Sequence, residues 1–599
     1  MKTTFSIKHK AKGFGIRCRV AALLPACLVA FSFFTSCSDF INQDSDRVIF
    51  ADDEHLNQAE DTLYSALGIV NKLQAISDRT ILLGELRADL SDITTYTSSD
   101  LRDVALFNVA DTTNDYNSPA DYYAVINNCN YYIAHADTAL KNNRNEYIFR
   151  KEYAAVKAFR AWTYMQMAQV YGKVPFVTEP ILSKAEADKE YPRYDMQQVC
   201  EYFLKDLQGL ETIETPGYGA IRNVQSKFFY FPIYVLEGDM NLWLGNYREA
   251  AVCYYKYLST RNGVNQAYAT GTSTVSWQRT STHWDMMNDQ FNSFFNEGSS
   301  YSTSSELVTL IPGDSIPSEG NYSQLRNLFN SNTNNSYNAS IVPSQSLINL
   351  SAAQTYCHYT STKNVIYPPT GLDNYRSGDL RLASIYSSKK NDHLIQNKTV
   401  DLVSNGKHMN QNVQVYRRSM VYMHLAEALN RAGFPRFAFA ILKDGLTDDV
   451  IQSKVMPYYK NDSAWIAQFS FPTNIYVSRS GSYPEVATEN TIGIHSRGCG
   501  WSEYNEQYVM PDDSTLADAD RLQYQIEKVE DLIMDENALE FAFEGQRFYD
   551  LMRVALRRSD PAYLANKVYA RRGADKVDEM RGLIGKDLLQ TSNWYLPLP

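Results

Sequence analysis

The segment Asn241-Leu242-Trp243-Leu244-Gly245-Asn246-Tyr247-Arg248-Glu249-Ala250, running on to Tyr254 and Tyr257, most narrows what this chain can fold into. Gly-x-Tyr, then Ala, then an aromatic four residues on, is the turn pattern of a tetratricopeptide-like helical hairpin. The Gly permits a close turn, the Ala lets the second helix approach the first, and the aromatic fills the next groove. One hairpin cannot bury its own apolar face, so it requires neighbours of its kind. Tyr416 to Leu446 supplies a second unit. Met420, Leu425, Ala428 and Leu429 share a face, Gly433 and Pro435 make the turn, and Ala438 to Leu442 begin the partner helix. Tyr122 to Leu140 with Glu152 to Val170 repeats the hairpin without a clear Gly-x-Tyr. The pattern predicts about four irregular units, with plain helical pairs as the alternative.

Helical periodicity covers roughly 56–141, 146–260, 415–446 and 519–558. Between them, from about 265 to 412, the chain is rich in Ser, Thr, Asn, Gly and Tyr and loses that period. The stretch is too long for one loop and too aromatic for a disordered linker. The expected fold is therefore mainly α: tetratricopeptide-like hairpins carrying an irregular, loop-rich ligand-binding lobe. The corresponding divisions are 1–36 (a leader), 37–264 (N-terminal helical part), 265–412 (the lobe) and 413–599 (C-terminal helical part).

The leader is read from Phe34-Thr35-Ser36-Cys37, a lipoprotein cleavage box, behind a basic start and an apolar run from Val20 to Phe34. That run is too short to serve as a spanning helix. Acylation of Cys37 would tether the mature chain to a membrane by its first residue. An ordinary cleaved signal with a chance Cys is the plainer alternative. The formal net charge is −11, and the leader holds six positive and no negative residues, so the body is more acidic still. Such a body repels nucleic acid and anionic lipid surfaces. Cys129, Cys200, Cys253, Cys357 and Cys499 remain, an odd number without a C-x-x-C or Cys/His cluster. Buried thiols are expected, with no metal site, no disulfide framework and no cofactor.

No G-x-S-x-G, P-loop, H-E-x-x-H or EF-hand pattern occurs. Glu540 and Glu544 invite an acid/base reading for glycoside cleavage. However, catalytic carboxylates lie ~5 to 9.5 Å apart across a sugar, normally on different elements. Glu536, Glu540, Glu544 and Arg547 read more simply as an ion-pair ladder on one helical face. The acids of Pro511-Asp512-Asp513-Ser514 could touch calcium, but solvated loop acids are the simpler account. Binding must then come from surface aromatics flanked by polar groups. Two segments offer this. One is Glu85 to Tyr96, with Arg87, Asp89, Asp92 and Tyr96. The other is Trp277 to Tyr301, with Trp277, Trp284 and Asn288. Core packing competes for every aromatic ring. Trp162 and Trp243 are assigned to core, Trp594 to packing the tail, and Trp501 to either.

The segment from Asp535 to Arg553 resembles the signature of the SusD/RagB family: Glu540-Phe541-Ala542-Phe543-Glu544-Gly545-Gln546-Arg547-Phe548-Tyr549-Asp550-Leu551-Met552-Arg553. Ala426-Glu427-Ala428-Leu429-Asn430, Ser305-Glu306-Leu307-Val308 and Val170 to Phe176 are similar to further segments of that family. The resemblance implies an outer-membrane lipoprotein of a Bacteroidetes nutrient-uptake system. It implies that the protein binds a nutrient, most simply an oligosaccharide, and caps a SusC-like TonB-dependent barrel transporter. It also implies that the loop holding Arg87 to Tyr96 reaches the ligand face. A peptide ligand, a lipid-anchored glycan-degrading enzyme and a pure protein scaffold remain as other readings.

Overall fold

The computed structural model describes residues 61–221, 223–259, 275–279, 284–295, 306–313, 323–331, 338–359, 362–367, 378–395, 398–471, 476–478, 487–489 and 492–598. Within these ranges the side chains of 61–65, 276–290, 391–400, 476–478 and 487–489 lie outside the description. The leader and Cys37 also lie outside the described residues. The unit Leu56–Pro599 is mainly helical, with paired strands as minor elements. Among the described residues no helix is long and apolar enough to cross a membrane.

The main helices at the start of the body are α1 (Asp61–Glu85), α2 (Ser99–Ala105), α3 (Pro119–His135), α4 (Arg150–Tyr171) and α5 (Met196–Asp206). The hairpin of α6 (Ile233–Leu244) and α7 (Tyr247–Ser259) follows. Its turn is Gly245, which caps α6 at φ +84°, a conformation that costs an L side chain steric energy. Ala250 and Tyr254 are fully buried, and the Tyr254 hydroxyl donates to Asp239 Oδ1 at 2.6 Å. The expected division of labour between small and aromatic residues therefore holds in this hairpin. The next pair, α8 (Arg418–Arg431) and α9 (Pro435–Lys443), packs against α7. α3 and α4 form the pair that lacks a glycine turn. The long α10 (Asp518–Phe541) covers α8 and α9, and α11 (Arg547–Arg558) returns onto α1.

Within the irregular 265–412 lobe the described residues include small two-stranded sheets. The lobe contributes antiparallel pairs: β1 (Val275–Arg279) with β2 (Trp284–Asp289), and β3 (Tyr386–Ile395) with β4 (Lys398–Asn405). Leu307–Ile311 pairs with Val413–Arg417, and Ile341–Pro343 pairs back to Ser91–Ile93. The pairs are two-stranded, and all four carry polar residues within the strands. A two-sided polar strand leaves no period-2 apolar stripe to detect. Leu307–Ile311 is instead buried along its whole length.

Two glycines explain how the C-terminal signature docks. Gly545 sits at φ +81°, and a Cβ there would lie 2.3 Å from the Thr80 carbonyl oxygen. A Cβ on Gly84 would lie 1.7 Å from the Gly545 oxygen. The turn before α11 thus meets α1 backbone to backbone. Gly545 N–H donates to the Glu85 carboxylate at 3.0 Å across that contact.

Candidate functional site

The sequence expectation of a carboxylate ladder needs correction. α10 ends at Phe541, and Phe543 turns the chain at φ +70°, so Glu544 lies beyond the helix carrying Glu536 and Glu540. Their partners come from elsewhere in the chain. Glu536 accepts from Arg381 at 2.6 Å and meets His495 at 2.8 Å. Glu540 lies between Arg381 at 2.8 Å, Arg417 at 3.1 Å and Arg497 at 3.3 Å. Glu544 accepts from Arg417 Nε at 2.7 Å and also pairs with Lys407. Asp379 and Glu306 complete the cluster by pairing with Arg381 and Arg497. Every member is buried. Burial opposes charge on Glu540, but the Arg497, Arg417 and Arg381 guanidinium groups override it and hold its carboxyl well below the usual range. On Lys407 burial prevails instead and lowers its ammonium to about 8. Charges buried this deeply must be paired, because removing ions from water costs several kcal/mol each. The cluster therefore ties the signature segment to the 306, 379–381, 407–417 and 495–497 segments. Sequence reasoning missed Arg381, Lys407, Arg417 and Arg497 as partners, since charge spacing shows neighbours along one helix only.

The loop after α1 splits into an inner and an outer half. Arg87 is fully buried. It donates to the carbonyls of Leu83 and Trp594 at 2.8 Å each, donates to the Tyr549 hydroxyl at 3.2 Å, and lies 4.3 Å from the Phe548 ring centre. Asp89 is buried in a two-pronged pair with Arg547, at 2.7 and 2.9 Å. Burial would raise the Asp89 carboxyl, but Arg547 more than compensates and holds it below its usual value. Both residues had been expected at the ligand face, and both are turned inward as fastenings of the C-terminal segment. Asp92 is partly buried against Arg572, at 2.8 and 3.2 Å.

Tyr96 stands out, at 52% exposed. Its loop is clamped beneath it. Ser91–Ile93 pairs with Ile341–Pro343. Thr94 N–H donates to the Ser340 carbonyl at 3.1 Å, Thr94 Oγ1 to the Ala339 carbonyl at 2.9 Å, and Thr97 Oγ1 to the Ser340 carbonyl at 2.6 Å. Tyr96 N–H itself donates to Thr94 Oγ1 at 3.1 Å. An aromatic residue more than half exposed on a backbone held by five hydrogen bonds or strand pairings has a defined position. Little ordering entropy then remains for it to lose on binding a ligand.

Trp277, Trp284 and Asn288 belong to the β1–β2 hairpin, where Arg279 pairs with Trp284 and Ser276 with Asn288. Their side chains lie outside the described residues. The hairpin leads into Gln290–Phe295, and the Phe295 carbonyl accepts from Asn410 Nδ2 at 2.9 Å. Asn330 bonds Asn405 N–H and the His408 carbonyl, and Ser340 N–H reaches the Leu328 carbonyl at 2.7 Å. Among the described contacts, the two expected binding segments are thus joined through Leu328, Asn330, Ser340 and residues 405–410 rather than directly. Of the other tryptophans, Trp162 and Trp594 are core and Trp501 is buried. Trp243 is only partly buried and lies under the Arg553 guanidinium.

Two family models match this sequence. The SusD family model covers residues 507–599. A second, SusD-like model, described as starch-binding associating with outer membrane, covers residues 63–219. No curated protein matches the sequence. Among solved structures, the fold is similar to a SusD superfamily protein from Bacteroides vulgatus ATCC 8482, with 15% identity over 92% of this chain and 96% of that one and a TM-score of 0.55. It is also similar to a SusD-like carbohydrate binding protein from Bacteroides fragilis NCTC 9343, with 11% identity, 85% and 88% coverage and a TM-score of 0.51. A SusD superfamily protein from Bacteroides thetaiotaomicron VPI-5482 aligns at 14% identity over 89% and 97%, with a TM-score of 0.51. At these identities the structures speak for the fold, and the two family models speak for descent. The chain is thus similar to the SusD/RagB family at both ends, over residues 63–219 and 507–599, and shares its fold with SusD-like structures.

Proposed function

We propose that the protein is a lipid-anchored outer-membrane binder that captures an oligosaccharide and delivers it to a SusC-like TonB-dependent transporter. The observation that carries the binding half is Tyr96: a half-exposed ring on a loop whose backbone is clamped to the 339–343 segment. The descriptions of the matching family as starch-binding and of one structural relative as carbohydrate-binding agree with this reading. A sugar presents flat C–H faces to such a ring and hydroxyls to the polar groups around it. Binding without bond cleavage also fits Glu540 and Glu544, the carboxylates first considered for acid/base work. Both are buried and committed to guanidinium and ammonium groups. The β1–β2 hairpin with Trp277, Trp284 and Asn288 is proposed as the second wall of the face, with Asp92 at its edge. Anchoring through Cys37 and hand-over to a barrel are part of the same proposal.

The test is glycan-array binding of purified protein, followed by calorimetry on the strongest ligand with wild type and Tyr96→Ala. Tyr96 is exposed, so the variant should melt at the wild-type temperature. Its affinity should fall about thirtyfold, the scale of a hot-spot truncation. Unchanged affinity in the folded variant would remove Tyr96 from the site. Binding of peptides but no glycan would replace the ligand class.

A further inference from the structure

A second enclosure lies away from Tyr96. Lys151 and Ala155 from the start of α4, the 211–215 loop, Phe228, Tyr234, Tyr257 and Arg418 surround a cleft of about 280 Å³. Its lining differs from that of a packing defect, which would be apolar. Phe228, Tyr234 and Tyr257 are each only partly buried and belong to three separate segments. Arg418 donates to the Tyr257 hydroxyl on one side. On the other side Glu211 is hydrogen-bonded to Glu237. Burial, and then the Glu211 charge beside it, push the Glu237 carboxyl up to about 8. Lys151 and Glu214 close the rim with an ion pair at 2.7 Å. Aromatic walls with a few convergent polar groups are the general form of a small-molecule site.

The charges narrow the ligand. The lining holds the cations Lys151, Lys227 and Arg418 and the carboxylates Glu211 and Glu214, so an ion of either sign would meet like charge within it. A neutral polyhydroxylated ring meets none. Its hydroxyls can donate to Glu211 and accept from Arg418, and its C–H faces can lie on Tyr234 and Phe228. We propose that this cleft binds a single neutral sugar ring, as a site separate from the Tyr96 face.

Saturation-transfer NMR on the purified protein tests this, with D-glucose, D-galactose, D-mannose and N-acetyl-D-glucosamine as probes and glycylglycine as the counter-probe. At least one sugar should give a signal that persists in Tyr96→Ala. Glu211→Gln should weaken it about tenfold, roughly what a hydrogen bond to a charged group supplies. Tyr234→Ala should abolish it at an unchanged melting temperature. If Tyr234→Ala unfolds, the near-isosteric Glu211→Gln decides alone. The proposal is overturned by silence from all four sugars, by sugar signals indifferent to both cleft substitutions, or by a cleft-dependent signal from glycylglycine only. A sugar signal lost in Tyr96→Ala but kept in Glu211→Gln would overturn it while leaving the Tyr96 site standing.

Discussion

Glu85 shows how one residue can carry a cost that its contacts only partly offset. It ends α1, is fully buried, and accepts from Gly545 N–H at 3.0 Å and Ser91 Oγ at 3.2 Å. Burial dominates those contacts and lifts its carboxyl to about 7. A carboxyl whose folded value lies above its unfolded value of 4.5 favours the fold when protonated. That contribution is fully present below pH 4.5 and is lost as the pH rises through about 7. Glu85→Gln keeps an acceptor for Gly545 and cannot ionise. Relative to the variant, wild type should therefore lose up to about 3 kcal/mol between pH 4.5 and 7. Urea melts of both proteins across that range measure it. A wild-type-minus-variant difference that stays flat with pH would show that Glu85 remains ionised inside the fold. The neighbouring Asp89 behaves oppositely, because a guanidinium pairs with it directly, whereas Glu85 accepts from N–H and O–H donors and feels the Lys407 charge only weakly.

Among the elements, what the sequence disclosed followed the range of the interaction. The α6–α7 hairpin was legible because its rule is local: Gly245, Tyr247, Ala250 and Tyr254 act on each other within one turn and two helix starts. The roles of Arg87 and Asp89 were not, because their partners lie hundreds of positions away, at Trp594, Tyr549 and Arg547. An Arg and an Asp in a loop read the same whether they face a ligand or a distant segment. Periodicity cannot separate those cases, and Tyr96, four residues after Asp92's neighbourhood begins, carries no different signal. Gly245 and Gly545 extend this contrast into a measurement. A Cβ at Gly245 meets only Tyr247, at 3.9 Å, so Gly245→Ala should cost the conformational penalty alone, about 1 to 2 kcal/mol. A Cβ at Gly545 meets the backbone of Thr80 and Ile81 at 2.3 and 2.7 Å, so Gly545→Ala must separate α1 from the signature turn. It should cost more than about 4 kcal/mol, the range kept for disruptions with a specific structural cause. Chemical melts of the two variants should differ clearly, and equal losses would mean that the α1–α11 contact yields easily.

For the whole molecule, the proposed delivery asks how a binder of moderate affinity could serve a transporter. A free protein would have to find its barrel in three dimensions at its bulk concentration. A tethered one is confined to a thin layer beside it, where effective concentration replaces intrinsic affinity. Within the proposed scheme retention depends on acylation at Cys37. A single acyl chain holds only marginally, with K of about 10⁴ M⁻¹, so a lipoprotein needs more than one. Cys37→Ala removes the thiol that acylation requires and leaves the export leader's basic and apolar regions intact. The variant should be exported but should leave the membrane fraction on washing, and the cells should lose growth on the captured ligand even though the purified variant binds it with wild-type affinity. That pair of results separates tethering from binding, since the Tyr96 face lies in a different part of the chain. A Cys37→Ala protein that sediments with membranes as wild type does would end the lipoprotein reading, and one that is released while growth is unchanged would show that delivery does not depend on the tether.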